Sequence, residues 1–277
     1  MKRRRIVLFL LLLLLIAGIL GIIWGNSSLV TTEYTISSPA LPEAFRGLRI
    51  VQLSDLHNAE FGTDNRRLLE AVSAAEPDLI FLTGDLLDSR RTDRAVALEF
   101  AREVIKIAPV YYSLGNHEGR IPEVYDPFEE ELRKLGVQVL RNEVAVLERE
   151  GQQLYIAGID DPEFFPSQEE FLECLKGLCD DEGYTLLLSH RPELFGDYCD
   201  AGAELVFSGH AHGGQFRLPW AGGLYAPHQG AFPEYDAGLF SQDSTKLIVS
   251  RGLGNSIFPF RLFNRPEVVV AVLEDAT

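Results

Sequence analysis

The sequence predicts an α/β protein: two packed mixed β-sheets flanked by helices, in one domain that follows a transmembrane helix. Three observations lead to this prediction. Short apolar runs alternate with amphipathic segments in the first part of the domain, and shorter runs with polar turns fill the middle. Five of the apolar runs end within a few residues of an aspartate or a histidine. Strands that alternate with helices are typical of parallel sheets covered on both faces.

The amino terminus has the length and composition of a membrane segment. Four cationic residues at 2–5 precede an unbroken apolar run of 19 residues, from Ile6 to Trp24. At about 1.5 Å of rise per residue, this run nearly spans a hydrocarbon core about 30 Å thick. The positive-inside rule places residues 1–5 in the cytoplasm and the rest of the chain on the other side of the membrane.

Two export signals compete with the prediction of an uncleaved anchor at residues 6–24. A cleaved signal peptide would have a shorter apolar region, and no convincing small-x-small cleavage site follows the run. The pair Arg4-Arg5 also permits a twin-arginine signal, although its flanking residues fit weakly. After the anchor we predict a partly polar stalk at 25–46 and a globular domain at 47–277.

The first part of the domain alternates between buried strands and amphipathic helices. Apolar runs predict strands at Leu48–Leu53, Leu79–Leu82 and Val110–Leu114. Apolar residues at helical spacing predict helices near 65–76 and 93–107 between these strands. Asp126 followed by Pro127 predicts the N-cap and the first residue of a third helix.

The middle of the chain changes character. Polar turns separate short runs that predict a meander of strands at Val137–Leu140, Val144–Leu147 and Leu154–Ala157. Ser167, with Glu170 three residues later, forms a capping box that predicts the start of a helix. Further strands are predicted at Leu186–Leu188, Leu205–Phe207, Leu247–Val249 and Val268–Leu273, and Thr31–Ile36 could add one within the stalk.

The charge of the chain bears on its partners. The formal net charge is −16, from 25 basic and 41 acidic side chains, although four of the basic ones precede the anchor. Because so acidic a domain is repelled by phosphate backbones, we expect no nucleic-acid partner. The three cysteines, Cys174, Cys179 and Cys199, are odd in number and form no C-x-x-C motif. This excludes a zinc ribbon or a disulfide scaffold, and we expect three buried free thiols.

Candidate metal ligands stand where five of the apolar runs end. The endings are Asp55-Leu56-His57, Gly84-Asp85, Gly115-Asn116-His117-Glu118, Ser189-His190 and Gly209-His210-Ala211-His212. Because the carboxyl ends of parallel strands meet at one edge of a sheet, we expect these side chains to lie together. A mixed nitrogen and oxygen set suits Mn, Zn or Fe. A pair of such ions can clamp an in-line displacement at phosphorus.

These five endings, in this order, resemble the calcineurin-like metallophosphoesterase family over roughly residues 47–275. The stretches 209–215, 250–254 and 265–267 are similar to a bacterial membrane-anchored subgroup of that family. The resemblance implies a four-layer α-β-β-α sandwich. It also implies a single-pass protein of the bacterial cell membrane, with its catalytic domain on the extracytoplasmic side.

The resemblance implies a role for each ligand by matching position. One ion would be held by Asp55, His57, Asp85 and His212, and the other by Asp85, Asn116, His190 and His210. Asp85 would bridge the two divalent ions, which are expected to be Mn, Zn or Fe. A metal-activated hydroxide would attack phosphorus. His117 would be catalytic, stabilising charge on the phosphoryl oxygens or protonating the leaving alcohol.

Other polar and aromatic residues carry weaker expectations. Arg217 and Arg251 could bind substrate phosphate, although salt bridges elsewhere are an equal alternative. His228 fits no motif and is expected to be structural. Asp88 is expected to cap a helix or accept a hydrogen bond near the site, and Glu118 to orient a neighbour or cap a turn. Four aromatic residues could wall a pocket, although core packing is favoured for them: Tyr225, Phe232, Tyr235 and Phe240.

The function that follows is a membrane-anchored, dinuclear phosphohydrolase acting on a phosphodiester or a pyrophosphate. Its substrate would be a phosphorylated small molecule or lipid of the cell envelope, and an activity like that of a UDP-diacylglucosamine pyrophosphatase is an analogy only. Two alternatives stay open. One is a non-catalytic metal-binding envelope protein on the same fold, which the presence of Asp85 and His117 disfavours. The other is an anchored nuclease, which the acidic domain disfavours.

Overall fold

The computed structural model describes residues 2–180 and 183–274. The helices are α1 (Lys2–Ser27), α2 (Arg66–Ala74), α3 (Arg94–Val104), α4 (Asn116–Gly119), α5 (Pro122–Leu135), α6 (Gln168–Leu178) and α7 (Phe195–Ala201). The strands are β1 (Val30–Ser37), β2 (Arg49–Leu53), β3 (Leu79–Thr83), β4 (Val110–Ser113), β5 (Gln138–Val139), β6 (Glu143–Arg149), β7 (Gln152–Gly158), β8 (Tyr184–Leu188), β9 (Leu205–Ser208), β10 (Arg217–Leu218), β11 (Gly222–Gly223), β12 (Tyr225–Ala226), β13 (Gly230–Ala231), β14 (Gly238–Gln242), β15 (Thr245–Val249) and β16 (Glu267–Glu274).

The first six-stranded sheet has the order β1-β16-β2-β3-β4-β5. Its strands β2 to β5 are parallel, because α2, α3 and α5 supply the crossovers. Strand β16 runs antiparallel to β2, and β1 runs parallel to β16. Strand β1 therefore begins at the edge of the sheet where β2, β3 and β4 end, and this edge also receives the end of α1.

The second six-stranded sheet has the order β14-β15-β9-β8-β7-β6. Its four inner strands are parallel, and the antiparallel strands β14 and β6 form its two edges. Two further pairs, β10 with β11 and β12 with β13, form small hairpins after β9.

Three apolar layers hold the sandwich together. Residues from both sheets fill the space between the sheets. The rings of Phe81 and Phe207 pack edge to face there, with their centroids 5.0 Å apart. A second layer packs α2, α3 and α5 on the first sheet, and a third packs α6 and α7 on the second. The predicted α-β-β-α fold is therefore confirmed, and burial of apolar area in each layer stabilises it.

Several local predictions need correction. The run at Val137–Leu140 joins no meander, since β5 pairs with β4 in the first sheet while β6 and β7 form a hairpin in the second. The third helix begins at Pro122, about one turn before the predicted N-cap at Asp126, so Pro127 lies inside its first turns. The predicted helix N-cap at Ser167 is confirmed, because its side chain accepts the backbone N–H of Glu170.

The segment expected as a stalk is part of the sheet. Strand β1 pairs along its whole length with β16, in agreement with the strand considered at Thr31–Ile36. Leu41 and Phe45 are buried in the layer between the sheets. Residues 30–46 are therefore built into the folded domain, because their apolar side chains complete its core.

The helix α1 protrudes from the domain with its apolar side chains exposed. The stretch Arg3–Ser27 is long and apolar enough to cross a membrane by length and composition. None of the three cysteines, all of which lie within the described residues, forms a disulfide bond. Cys179 is buried, but Cys174 and Cys199 are only half-buried, contrary to expectation.

Candidate metal centre

Strained loops follow the strands at the shared sheet edge. Several residues there have a left-handed backbone although they are not glycine, and they include five predicted metal ligands: Asp55, His57, Asp85, His210 and His212. Such conformations are uncommon outside glycine and cluster at functional sites, where the surrounding fold enforces them. Five of the seven ligands predicted from the sequence therefore have this backbone conformation.

Two glycines let the loops approach each other. Gly84 has a φ of +88°, and a Cβ atom there would lie 2.6 Å from both the backbone nitrogen of Gly115 and Nδ1 of His190. A Cβ atom on Gly115 would in turn overlap the carboxylate of Asp85. Only residues without a side chain allow this contact, which brings Asp85 next to Asn116.

The first donor group consists of Asp55, His57 and His212. One potential ligand atom from each lies within 4.8 Å of the other two. The Nε2 atoms of the two histidines are 3.3 Å apart, and Nε2 of His212 is 3.3 Å from Oδ1 of Asp55. All three side chains are almost completely buried.

The second donor group consists of Asp85, His190 and His210. Nδ1 of His190 is 2.7 Å from the carbonyl oxygen of Thr83, which can only accept, so Nδ1 carries the proton. Its Nε2 lies 3.3 Å from Oδ2 of Asp85. Fixing a histidine tautomer through a backbone carbonyl is a common way to present the other nitrogen to a metal.

Asp85 stands between the two groups. Its Oδ2 atom is 3.3 Å from Nε2 of His190 in one group and 3.5 Å from Nε2 of His57 in the other. Its Oδ1 atom accepts the backbone N–H of His117 at 2.9 Å. This placement is suited to a bridging carboxylate.

Burial sets the protonation of most of the histidines. Desolvation lowers the pKa of His57 and of His212 to about 3 and holds the pKa of His210 well below its usual range. These rings are neutral at physiological pH, which is the form that binds metals.

Asp85 and His190 behave as an ion pair. Burial opposes charge on both, but His190 holds the pKa of Asp85 well below its usual range. The charge of Asp85 and its hydrogen bond in turn raise the pKa of His190 to about 10. A divalent cation would replace the His190 proton as the counter-charge.

The donors fit divalent cations. Oδ1 of Asn116 is buried and has no hydrogen-bond partner among the described residues. A buried polar atom without a partner costs about 1–3 kcal/mol, so such atoms usually face a ligand. The seven predicted ligands are thus brought to one place.

His117 lines the same cavity with a defined tautomer. Its Nδ1 accepts the backbone N–H of Ser89 at 3.0 Å, so in the neutral ring Nε2 carries the proton. Nε2 lies 3.3 Å from Oγ of Ser256 and 4.0 Å from Oδ2 of Asp85. The ring therefore presents an N–H donor beside the donor groups.

A cavity opens over both donor groups. Its polar floor contains Asp85, Asn116 and four histidines, and Arg90 and Arg120 also line it. Its apolar wall contains Tyr225, Pro227, Ile257 and Phe258. Tyr225 and Phe232 are exposed rather than part of the core, contrary to expectation. Tyr235 and Phe240 pack against the third apolar layer as expected.

The family model of calcineurin-like phosphoesterases matches residues 48–214. The chain belongs to this family. It is 32% identical to the metallophosphoesterase YkuE of Bacillus subtilis, over 88% of this chain and 85% of that protein. It is 28% identical to phosphodiesterase YaeI of Escherichia coli, over 81% and 82% of the two chains.

Two further comparisons agree with the family and the fold. A transmembrane protein with a metallophosphoesterase domain from Danio rerio is 31% identical over 85% of this chain and 55% of that protein. The structure of TT1561 from Thermus thermophilus has a TM-score of 0.51 at 14% identity, covering 74% of this chain and 90% of that one. The chain is therefore a metallophosphoesterase.

The two arginines that could bind substrate phosphate, Arg217 and Arg251, each lie beside a carboxylate. Nη1 of Arg217 is 3.1 Å from Oδ2 of Asp236, and Nε of Arg251 is 3.5 Å from Oε1 of Glu267. Neither belongs to the described lining of the cavity. The structure favours the salt-bridge alternative, because each guanidinium has a carboxylate beside it.

A buried ionic cluster, which no sequence pattern indicated, supports the second donor group. Arg191 is buried and forms a two-point ion pair with Asp161, at 2.5 and 2.8 Å. Its Nη1 is 3.3 Å from Nε2 of His210 and 2.5 Å from Nδ1 of His228. His228, expected to be structural, thus lies 3.0 Å from His210.

The Arg191 guanidinium also argues against a third metal position. Glu193, His210 and His228 are close enough to one another to ligate an ion. Nη1 of Arg191 is within 3.4 Å of an atom of each of them. A second cation in that space would be repelled by this one.

Asp88 and Glu118 organise the backbone around the ligands. Asp88 accepts the backbone N–H of Arg90, as expected for a capping residue, and its Oδ1 lies 3.7 Å from Nδ1 of His117. The buried carboxylate of Glu118 accepts three backbone N–H groups, those of Asp85, Leu87 and Gly115, at 2.9–3.0 Å. Glu118 therefore joins the two loops that carry Asp85 and Asn116.

Replacing Glu118 by alanine is expected to destabilise the protein. Three buried N–H groups would lose their acceptor, at a cost of about 3–5 kcal/mol in the free energy of unfolding. Glu118→Gln keeps one acceptor oxygen and should lose less. Thermal unfolding of the full chain in detergent measures both, with Glu130→Ala, on the exposed face of α5, as the control. An unfolding temperature of Glu118→Ala equal to that of this control would contradict the role given to Glu118.

Proposed function

We propose that this phosphoesterase is a membrane-anchored, dinuclear phosphohydrolase that cleaves a phosphodiester or a pyrophosphate bond. The observation that carries the proposal is the position of Asp85. Its Oδ2 lies 3.3–3.5 Å from a histidine of each donor group, and the N–H donor of His117 lies beside it. A shared carboxylate between two donor groups is the arrangement that a pair of ions requires.

The ligands divide as the family resemblance implies. Asp55, His57, Asp85 and His212 would hold one ion, and Asp85, Asn116, His190 and His210 the other. When bound, the two divalent cations, Mn, Zn or Fe, would activate a water and neutralise the phosphoryl oxygens. Histidine nitrogens make up half of this set, which favours these metals over Mg or Ca.

The remaining chemistry falls to side chains around the cavity. His117 offers its Nε2–H to a phosphoryl oxygen or to the leaving oxygen. Arg90 and Arg120 line the cavity and would attract the phosphate. The guanidinium of Arg120 is held in place by three hydrogen bonds to the carboxylate of Glu163, at 2.7–3.1 Å. In so acidic a protein, these arginines set the local charge.

The apolar wall supports a substrate with two groups on phosphorus. Tyr225, Ile257 and Phe258 line the cavity opposite the polar floor. A second substituent on phosphorus would contact this wall, whereas the free oxygens of a phosphomonoester would leave it unused. The relative named as a phosphodiesterase supports the same substrate class.

We expect the full chain, in detergent with Mn²⁺, to hydrolyse bis-p-nitrophenyl phosphate at least about tenfold faster than p-nitrophenyl phosphate. A substituent held in an apolar pocket contributes about 1–3 kcal/mol, which is about tenfold or more in rate. Addition of EDTA should abolish the turnover. If Mn²⁺ stimulates hydrolysis of neither ester, the protein is a metal-binding protein that has lost the reaction.

The anchor and its orientation form a separate part of the proposal. The helix α1 would span the cell membrane, with the catalytic domain on the extracytoplasmic side. We expect activity from a reporter that works only outside the cytoplasm when it is fused after Thr277. If instead a reporter that works only in the cytoplasm is active at this position, the proposed orientation is wrong. The enzymatic proposal would not be affected.

A further inference from the structure

Exposed apolar side chains lie on two segments, one of which lines the cavity. They form a surface that we call the apolar rim: Trp220, Ile257, Phe258, Phe260, Leu262 and Phe263. Trp220 is fully exposed, and Phe263 and Ile257 are 71% and 63% exposed. An exposed apolar surface of this kind usually marks a site for another molecule or a membrane.

The rim is continuous although two segments contribute to it. The backbone N–H of Arg217 donates to the carbonyl of Leu262 at 2.9 Å, which joins the β10–β11 hairpin to the loop 255–263. The ring of Phe216 packs against those of Phe258 and Phe260, with centroids 5.3 and 5.4 Å apart. Ile257 and Phe258 also line the cavity, so the rim and the site share a wall.

The end of α1 is fastened to the loop that carries the rim. Oδ1 of Asn26, in the last turn of α1, accepts the backbone N–H of Arg261 at 2.9 Å and Nδ2 of Asn255 at 3.0 Å. Nδ2 of Asn26 donates to the carbonyl of Arg261. The loop thus lies directly beside the point where α1 ends.

Trp24 and Arg265 indicate the level of the membrane surface. The guanidinium of Arg265 lies 4.8 Å from the centre of the Trp24 ring. It also donates to the backbone carbonyls of Ser28 and Leu29. Tryptophan and arginine both favour the boundary between lipid and water. Since Phe263 is only two residues from Arg265, the rim lies near the same level.

The connection between α1 and the sheet leaves no spacer. Only Ser28 and Leu29 separate α1 from β1. Strand β1 begins at the edge of the sheet that carries the metal centre. The metal centre therefore lies at the side of the domain that receives the membrane helix.

The charges near the rim fit a lipid surface. The exposed cations Arg90 and Arg91 lie beside the loop, and Nη2 of Arg91 donates to the carbonyls of Asn255 and Ser256 at 3.3 and 3.2 Å. These two cations contrast with the formal net charge of the whole chain, which is −16. Cations next to exposed aromatic side chains are typical of surfaces that bind anionic lipids.

We propose that the apolar rim inserts into the interface of the bilayer that α1 spans, so that the cavity receives the phosphorylated headgroup of a lipid from that leaflet. The acyl chains would stay in the bilayer, against Ile257 and Phe258, while the headgroup reaches the metal centre. The substrate class rests on the proposed function, whereas the insertion of the rim can be tested without it.

Insertion is measured with the full chain in nanodiscs of phosphatidylcholine and phosphatidylglycerol, one copy per disc. Trp24 and Trp220 are replaced by phenylalanine, and a single tryptophan is introduced by Phe263→Trp. Lipids brominated on their acyl chains should quench its fluorescence about twofold, as expected for an indole within about 5–10 Å of the acyl boundary. The matched control is Glu148→Trp in the same background, which should not be quenched. Glu148 is exposed on β6 and pairs with Gln153 near the start of β7, at the edge away from the metal centre.

Activity provides a second readout. Phe263→Glu should lower hydrolysis of hexadecyl 4-methylumbelliferyl phosphate, embedded in the same lipids, by about tenfold, the equivalent of about 1.4 kcal/mol. Turnover of soluble bis-p-nitrophenyl phosphate should be unchanged, because Phe263 does not line the cavity. The control Val146→Glu, also exposed on β6, should change neither rate.

Each outcome bears on one proposal. Equal quenching at positions 263 and 148 would overturn the insertion of the rim, even with full activity on the soluble ester. Quenching at 263 that is lost when two copies share a disc would assign the rim to a second copy of the chain instead of the lipid. If the wild-type protein does not hydrolyse the soluble ester in the presence of metal, the proposed reaction is refuted. The conclusion from the quenching experiment would still hold.

Discussion

Replacing Asp85 by asparagine is expected to reduce metal-dependent hydrolysis by about a thousandfold, which is about 4 kcal/mol in transition-state stabilisation. Asparagine has nearly the same shape, so the close contact with Gly115 and the hydrogen bond from the backbone of His117 can remain. What is lost is the negative charge between the two donor groups. Without it, two cations would repel each other with one counter-charge fewer.

The measurement combines kcat for bis-p-nitrophenyl phosphate with the number of metal ions per chain. We expect fewer than two ions per chain in Asp85→Asn and no recovery of the rate at high Mn²⁺. The matched control is Asp93→Asn at the N-cap of α3, where asparagine caps as well as aspartate does. Wild-type metal content together with a wild-type rate in Asp85→Asn would remove the basis for a bridging carboxylate.

Replacing His117 by alanine should lower kcat by about a hundredfold, at the low end of the range for a general acid, while both metal ions stay bound. The reason is geometric. The backbone N–H of Ser89 donates to Nδ1, so Nε2 carries the proton and presents it to the cavity beside Oγ of Ser256. The ring is a neighbour of the ligands, with Nε2 4.0 Å from Oδ2 of Asp85.

A series of aryl phosphodiesters separates the two roles that the resemblance leaves open for His117. If it protonates the leaving oxygen, the loss in His117→Ala grows as the leaving alcohol becomes less acidic. If it stabilises the phosphoryl oxygens, the loss is similar across the series. Ser256→Ala, which removes the hydroxyl 3.3 Å from Nε2, is the control and should have a small effect. A variant that binds fewer metal ions than the wild type would contradict both roles.

The sequence is most informative where local rules apply. A residue that follows a parallel strand must lie at the carboxyl edge of its sheet. This rule brings Asp55, Asp85 and Asn116 to one edge of the first sheet, and His190 and His210 to one edge of the second. The same rule applies to Asp161, which follows the end of β7 at Gly158. The polar turns around Leu154–Ala157 conceal it, because they predict a meander whereas β7 is parallel to β8.

Side chains that depend on distant partners could not be predicted in this way. Arg217 and Arg251 follow promising motifs, yet Asp236 and Glu267 lie beside them in the folded chain. Arg120 stands at the cavity because Glu163, from another part of the chain, holds it there. No periodicity or motif encodes such pairs, since the partners meet only when the sheets pack.

The succession of strands along the chain, the ligands at the strand ends and the apolar amino terminus can be predicted from the sequence, because each depends on residues that are close in sequence. The two sheets, their ligand groups and the end of α1 come together at one edge only through packing. Asp85 acquires its place between the two donor groups from β3, whereas His57 and His190 reach it from β2 and β8. The fastening of Asn26 to the loop at Arg261 likewise joins residues more than two hundred positions apart, so only the tertiary structure could reveal that the metal centre lies beside the end of the helix.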